Sequence, residues 1–187
     1  MLGRHISDEK IIEAFDLFNR YGINMYTNSM IGIPGATIED EFKSLALAIR
    51  CRPKYSGFTI ITPYPGTDFY EYCKNKDALL KGMDMAELMS PTTGSKSVLT
   101  CFSEDEKKRQ IKFLKLAPVT AAFPFLKRIT AFMIYHIPDN PLFDFIYWFA
   151  KNYLFSKYIV PIRFSFSDYI RLAGRTFKEE MHQINKN

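Results

Sequence analysis

Two turns rich in glycine and proline carry the residue types that could bind a ligand through backbone groups. Their sequences are IGIPGAT, residues 31–37, and TPYPGT, residues 62–67. Glycine has no Cβ and can adopt a positive φ, so it lets a ligand approach the backbone closely. The helix start that follows each turn offers unpaired N–H groups suited to a carboxylate, a ribose hydroxyl or a phosphate. We therefore predict a ligand-binding rim formed by Gly32, Pro34, Gly35, Thr37, Pro63, Tyr64 and Gly66, hereafter the rim residues. The alternative is that both segments are only tight strand-to-helix turns.

The elements that must position these turns alternate between helix and strand. Helical periodicity covers residues 7–22 with Ser7 as the cap, and strands are predicted over residues 23–33 and 57–62. A helix is predicted from Thr37 to about residue 50, and the acids at 39–41 are expected to serve its start. A short helix begins at Thr67. This order suits parallel βαβ units, whose ligands bind at the carboxyl ends of the strands, but two strands cannot make a complete sheet. Residues 1–80 therefore resemble part of an α/β barrel or open sheet.

The rest of the chain is predicted to be helical. Residues 81–102 lose periodicity and are expected to be a linker, and residues 103–187 are expected to be an α-helical extension. Ser103 begins a capping box, and Pro118 is expected to interrupt the helix that follows. Further prolines, at positions 124, 138, 141 and 161, are expected to separate several helices.

The extension is dense in aromatic and apolar side chains, with basic residues between them. The apolar set is Phe123, Phe125, Phe132, Met133, Tyr135, Phe143, Phe145, Tyr147, Trp148, Phe149, Tyr153, Leu154 and Phe155. The basic set is Lys127, Arg128, Lys151, Lys157 and Arg163. Apolar stripes at helical spacing usually mean burial, so we expect these side chains to fill a helical core or a seam against the barrel. The alternative is a non-catalytic module that binds a membrane surface or a protein partner.

Composition and cysteine spacing limit the classes of function. The net charge of +5 allows an anionic partner, but the basic residues are scattered among acids, so nucleic-acid binding is not expected. The three cysteines are separated by 21 and 27 residues, which is too far for a metal knuckle. This sparse count and the absence of an apolar leader predict a cytoplasmic location, with peripheral membrane contact as a variant. No metal ligand and no catalytic residue is assigned.

Four strings in a fixed order carry a resemblance to a known family. They are RxISxExIxxA at residues 4–14, YGI at 21–23, MIGIPGxTxED at 30–40 and PYPGTxFY at 63–70. Together they resemble the later part of the radical S-adenosylmethionine barrel, and are most similar to the branch that carries a cobalamin-binding domain. The resemblance implies a partial TIM-type barrel of six βα units with S-adenosylmethionine across the carboxyl ends of its strands. It also implies a 4Fe-4S cluster, cobalamin as a candidate second cofactor, and contacts from the first turn to adenosine and methionine and from the second to adenine.

Two departures from that family pattern decide what the chain is expected to do alone. Ala36 stands where the family usually has glutamate, and the C-x-x-x-C-x-x-C loop that holds the cluster is absent. Reductive cleavage of a sulfonium needs an electron from such a low-potential cluster. We therefore expect the chain to be inactive alone and to require the missing amino-terminal barrel half or a complementing chain. The parent reaction is expected to be a radical modification or methylation of an unactivated carbon in a small-molecule or lipid-like substrate.

Overall fold

A computed structural model of the protein describes residues 6–79 and 96–159, together with 167–168 and 171. The helices are α1 Asp8–Arg20, α2 Ile38–Cys51, α3 Asp68–Asn75, α4 Glu104–Ala122, α5 Lys127–His136 and α6 Pro141–Tyr158. The strands are β1 Tyr26–Ile31 and β2 Tyr55–Ile60, and a 3₁₀ turn, Pro124–Leu126, joins α4 to α5. Most of the predicted linker lies outside the described residues, as do Pro161 and Arg163. Its described end returns to the fold, because Leu99 forms an antiparallel bridge with Leu79.

The two strands form a parallel pair joined by α2, so the predicted βαβ unit is confirmed. Tyr26 lies opposite Tyr55 and Ile31 opposite Ile60. β1 is shorter than predicted and ends at Ile31 because Gly32 has φ +72°, outside the β region, whereas β2 has the predicted length but begins and ends two residues earlier. The described residues thus form a mixed α/β fold with a two-stranded sheet. They do not show a closed or partial barrel, so that part of the expectation is not confirmed.

Side-chain caps fix where four of the helices begin. Ser7, Thr37, Thr67 and Ser103 each accept a hydrogen bond from the backbone N–H three residues further on. Thr37 and Ser103 also complete capping boxes with Asp40 and Glu106. Each cap stabilises its helix by about 1 kcal/mol. All four helix starts were predicted from the sequence, and the structure confirms them.

The predicted interruption at Pro118 is wrong, because α4 continues through it to Ala122. A proline inside a helix removes one backbone hydrogen bond and costs about 3 kcal/mol. Burial offsets this cost: Pro118 is fully buried, and the neighbouring Phe113 and Ala117 pack in the main core. The prolines at 124, 138 and 141 do lie at helix ends, as predicted.

One face of the sheet carries the main core, and the other is exposed along β1 but buried at Tyr55 and Gly57 of β2. Ile31, Phe58 and Ile60 point to the covered face, where they pack with side chains of α2, α4, α5 and α6. Phe58 meets Phe113 of α4 edge to face, with ring centroids 5.4 Å apart. On the opposite face the β1 side chains alternate outward and are exposed: they are Tyr26, Asn28 and Met30.

Burial of the aromatic extension is only partly as expected. Phe143 and Leu154 are buried. The expectation is wrong for seven aromatic side chains, which are exposed: Phe123, Phe125, Phe132, Tyr135, Phe145, Phe149 and Tyr153. The side chain of Phe155 and residue Arg163 lie outside the part that the structure describes. Among the described residues no helix is long and apolar enough to cross a bilayer.

Candidate functional site

Both turns leave the sheet at the same edge. The strands are parallel and in register, and the ladder continues one step further because the Ile61 N–H donates to the Ile31 carbonyl oxygen at 2.8 Å. The first turn starts directly after β1, and the second starts at Thr62, after this last ladder bond. The structure therefore brings all seven rim residues to one edge, which is the carboxyl edge where α/β folds bind ligands.

Three of the rim residues present surface that a ligand can reach. Gly35 and Gly66 are exposed with φ +85° and +84°, and a Cβ built on either would meet nothing within 4 Å. Tyr64, within the second turn, has 46% of its surface exposed. These residues leave backbone and one aromatic ring open at the edge.

The other rim residues shape the turns instead. Gly32 and Pro63 are buried, and Pro34 is half-buried. The Thr37 hydroxyl is engaged in the α2 capping box, where it accepts the Asp40 N–H. The geometry therefore divides the rim residues into an open group, Gly35, Tyr64 and Gly66, and a supporting group, Gly32, Pro34, Thr37 and Pro63. Cofactor binding by any of them stays a prediction.

Glu41 holds the first turn in place, a role that the sequence analysis missed. Its Oε1 accepts the Gly32 N–H at 2.7 Å, and the side chain is only 5% exposed. Burial raises the pKa of the Glu41 carboxyl to about 7, although the Gly32 hydrogen bond acts in the opposite direction. All three acids at 39–41 do lie in the first turn of α2, as expected, and Glu41 has this additional role. Glu41 lies four residues before Leu45 and seven before Ala48, so it falls on the buried face of α2, and this spacing could have identified it as a buried residue.

Gln110 of α4 closes the space beneath the same turn. Its Oε1 lies 3.2 Å from the position that a Cβ on Gly32 would occupy, and the residue is 5% exposed. Within the described residues this oxygen has no hydrogen-bond donor. It borders a cavity of about 180 Å³ between the start of α2 and residues 106–110 of α4. The helical extension therefore contributes directly to the floor of the first turn.

A buried hydroxyl and one hydrogen bond also lie at this edge. The Thr62 hydroxyl, at the entrance to the second turn, is buried and has no partner among the described residues. A buried polar atom without a partner usually awaits a ligand or a water. At the first turn, the Tyr135 O–H of α5 donates to Glu39 Oε1 at the start of α2, so a second helix of the extension contacts this edge.

The cysteines of this chain do not fit an iron–sulfur cluster. Cys51 and Cys73 are buried in different parts of the core, and Cys101 is exposed. Burial raises the pKa of all three thiols, whereas a cluster ligand must be a thiolate. No group of three or more His, Cys, Asp or Glu side chains within the described ranges is placed to hold a metal ion.

Comparison with known proteins gives a distant likeness. The chain is 32% identical over 79 residues to an uncharacterized methyltransferase of Pyrococcus horikoshii. The match covers 42% of this chain and 17% of the relative, so the chain spans a small part of the protein that it matches. No protein-family profile matches the chain, and no solved structure matches it. The chain therefore has a distant and partial likeness to a methyltransferase, and its resemblance to the radical S-adenosylmethionine family is not confirmed by these comparisons.

Proposed function

We propose that this chain forms part of the S-adenosylmethionine-binding rim of a larger methyltransferase. The observation that carries the proposal is the meeting of two turns from neighbouring parallel strands at one edge, with Gly35, Gly66 and Tyr64 open to a ligand. The distant methyltransferase relative supports the choice of cofactor. When bound, S-adenosylmethionine supplies an activated methyl group on a sulfonium.

Each open residue has a distinct task in this proposal. The Tyr64 ring offers a flat apolar surface to adenine, and such stacking contributes about 1–3 kcal/mol per base. Gly35 and Gly66 let the cofactor approach the backbone without meeting a side chain. In addition to these open residues, the buried Thr62 hydroxyl has no partner among the described residues and is available to hydrogen-bond a polar atom of the ligand.

One face of the sheet is left partly uncovered at β1, which supports the need for a larger assembly. Parallel sheets are normally covered on both faces. Here β1 exposes Tyr26 and Met30 on one face, with 47% and 46% of their surfaces accessible. In this proposal the missing barrel half or a complementing chain covers that face and extends the sheet beyond β1. The same partner would supply the iron–sulfur cluster, and cobalamin where the reaction uses it, for radical methylation of a small-molecule or lipid-like substrate.

Nuclear magnetic resonance mapping tests the rim directly. S-adenosylmethionine titrated into the isotope-labelled chain should shift the amide signals of Gly35, Tyr64 and Gly66 and leave those of α6 unchanged. Tyr64→Ala should weaken binding about tenfold, as expected for a lost stacking contact. Tyr72→Ala is the matched control, because Tyr72 is 37% exposed on α3 outside the two turns. Shifts centred away from the turns, or equal losses in both variants, would contradict the proposal.

A second experiment tests whether the ligands of the proposed iron–sulfur cluster come from a partner and not from this chain. Anaerobic reconstitution of the chain with iron and sulfide should give no stoichiometric cluster, because Cys51 and Cys73 are buried and the exposed Cys101 alone offers too few thiolate ligands. Tight uptake of a four-iron cluster by this chain alone would show that the cluster ligands need not come from elsewhere.

A further inference from the structure

An apolar stripe on α5 faces outward. It consists of Phe125, just before the helix, with Ile129 and Phe132, and we call it the α5 stripe. These side chains are 78%, 55% and 58% exposed. Their i, i+4, i+7 spacing puts them in one row along the helix. Isolated apolar side chains on a surface need no explanation, but a continuous row marks an interaction site.

A groove with basic walls lies between α4 and the carboxyl-terminal end of α5. It has a volume of about 610 Å³, and we call it the basic groove. Its cationic lining is Lys108, Arg109 and Lys112, with His136 beside them. Lys112 is only 7% exposed and donates one N–H to the Ile137 carbonyl oxygen at 2.8 Å. An ammonium has three N–H donors, so two remain for another acceptor.

The acids of the basic groove already have partners. Asp105 accepts from Arg109 at 3.2 Å, and Asp139 accepts from Lys115 at 2.7 Å. Lys108 is exposed and forms no ion pair within the described part of the chain. The basic groove therefore keeps an excess of positive charge that can meet an anion.

The α5 stripe and the basic groove form one continuous surface. The rings of Phe132 and His136 lie 4.9 Å apart, and His136 is part of the groove wall. On the same wall the Arg109 guanidinium lies over the Tyr135 ring, 5.3 Å from its centroid. An apolar row that leads into a cationic groove is complementary to an amphiphile with an apolar tail and a negatively charged head.

We propose that this surface docks the protein on a membrane that contains anionic phospholipid. The basic groove takes the phosphate headgroup, and the α5 stripe enters the boundary between headgroups and acyl chains, as interfacial helices do. The occupant is a lipid surface because charge and apolar area adjoin, which a soluble anion would not require. The proposal is independent of the methyltransferase assignment.

Vesicle flotation tests this docking with the full chain. The protein should float with vesicles of phosphatidylcholine mixed with phosphatidylglycerol, and much less with phosphatidylcholine alone. Phe132→Ala should weaken binding about tenfold, since one exposed aromatic ring no longer enters the interface. Lys108→Gln should weaken it about fivefold through loss of one charge near the surface.

Matched controls separate this surface from general stickiness. Tyr72 on α3 is 37% exposed and has no exposed apolar residue one turn away in that helix, so Tyr72→Ala removes an isolated aromatic ring from another helix. Lys10→Gln makes the same change of net charge on exposed α1. Both controls should bind like the unaltered chain, and equal losses in the controls would overturn the proposal. Two other results would also overturn the proposal, both in the absence of flotation. One is binding of inorganic phosphate without vesicles that Phe132→Ala leaves unchanged. The other is self-association of the chain that Phe132→Ala abolishes.

Discussion

Replacing Glu41 by glutamine should stabilise the protein at neutral and alkaline pH. The Glu41 carboxyl is 5% exposed and accepts the Gly32 N–H at 2.7 Å. A glutamine amide oxygen can accept the same hydrogen bond, and it carries no charge that must be desolvated. The variant therefore keeps the support of the first turn and removes the cost of an ionised buried carboxylate.

The size and sign of the effect follow from the pKa of Glu41. Burial raises this pKa from 4.5 to about 7 in the folded protein. The group thus contributes most to stability below pH 4.5, where both states are protonated, and this contribution is lost as the pH rises through 7. Glu41→Gln should gain relative to the unaltered chain across that window, reaching a ceiling of about 3 kcal/mol above pH 7.

Urea denaturation of both proteins at a series of pH values between about 4.5 and 8.5 measures this difference. Glu13→Gln, at an exposed position on α1, makes the same change of net charge away from the first turn and is the matched control. Glu41→Ala should be destabilising at acidic pH, because it leaves the Gly32 N–H without an acceptor. A pH-independent difference for Glu41→Gln, or a Glu41→Gln variant that is less stable than the unaltered chain at about pH 8, would refute the reasoning.

Three further outcomes are expected from the same structure. Gly32→Ala should lower the free energy of unfolding in urea by about 2 kcal/mol, because its φ is +72° and the added Cβ would lie 3.2 Å from Gln110 Oε1. Gly35→Ala meets no atom within 4 Å and should cost only the positive-φ penalty of about 1 kcal/mol. Equal costs for the two variants would contradict the close approach of Gln110 to Gly32. Ser103→Ala should lower the free energy of unfolding by about 1 kcal/mol through loss of the α4 capping box, and Ser103→Gly by less. In thiol titration of the native chain only Cys101 should react rapidly, and all 3 cysteines should react after denaturation; rapid reaction of a second thiol in the native chain would show that the core opens readily.

The sequence was most informative where the cause of structure is local. Thr37 with Asp40, and Ser103 with Glu106, specify helix starts through contacts three residues apart, and both capping boxes form. The turn glycines are equally local, since Gly32, Gly35 and Gly66 all have positive φ. The βαβ order and the shared edge of the two turns follow from these signals together with the apolar strands.

What the sequence could not reveal depends on packing between distant segments. Pro118 stays inside α4 because its ring is buried beside Phe113 and Ala117 of the main core, and this apolar burial offsets the lost backbone hydrogen bond. The contact of Gln110 with the first turn joins residues far apart in the chain, and no local pattern specifies it. Exposure of Phe125 and Phe132 was missed because apolar spacing identifies a face of a helix but not whether another element covers it.

The helical extension contacts the carboxyl edge of the sheet, and α4 is the helix that makes most of this contact. Gln110 lies under Gly32, while its neighbour Arg109 borders both the cavity beneath the first turn and the basic groove. Tyr135 of α5 bonds to Glu39 at the start of α2 and also lies under the Arg109 guanidinium. A ligand that moves Arg109 in the basic groove therefore acts on a side chain that also lines the floor of the first turn. In the two proposed roles together, a lipid-like substrate would approach a rim supported by α4, the helix that also lines the basic groove.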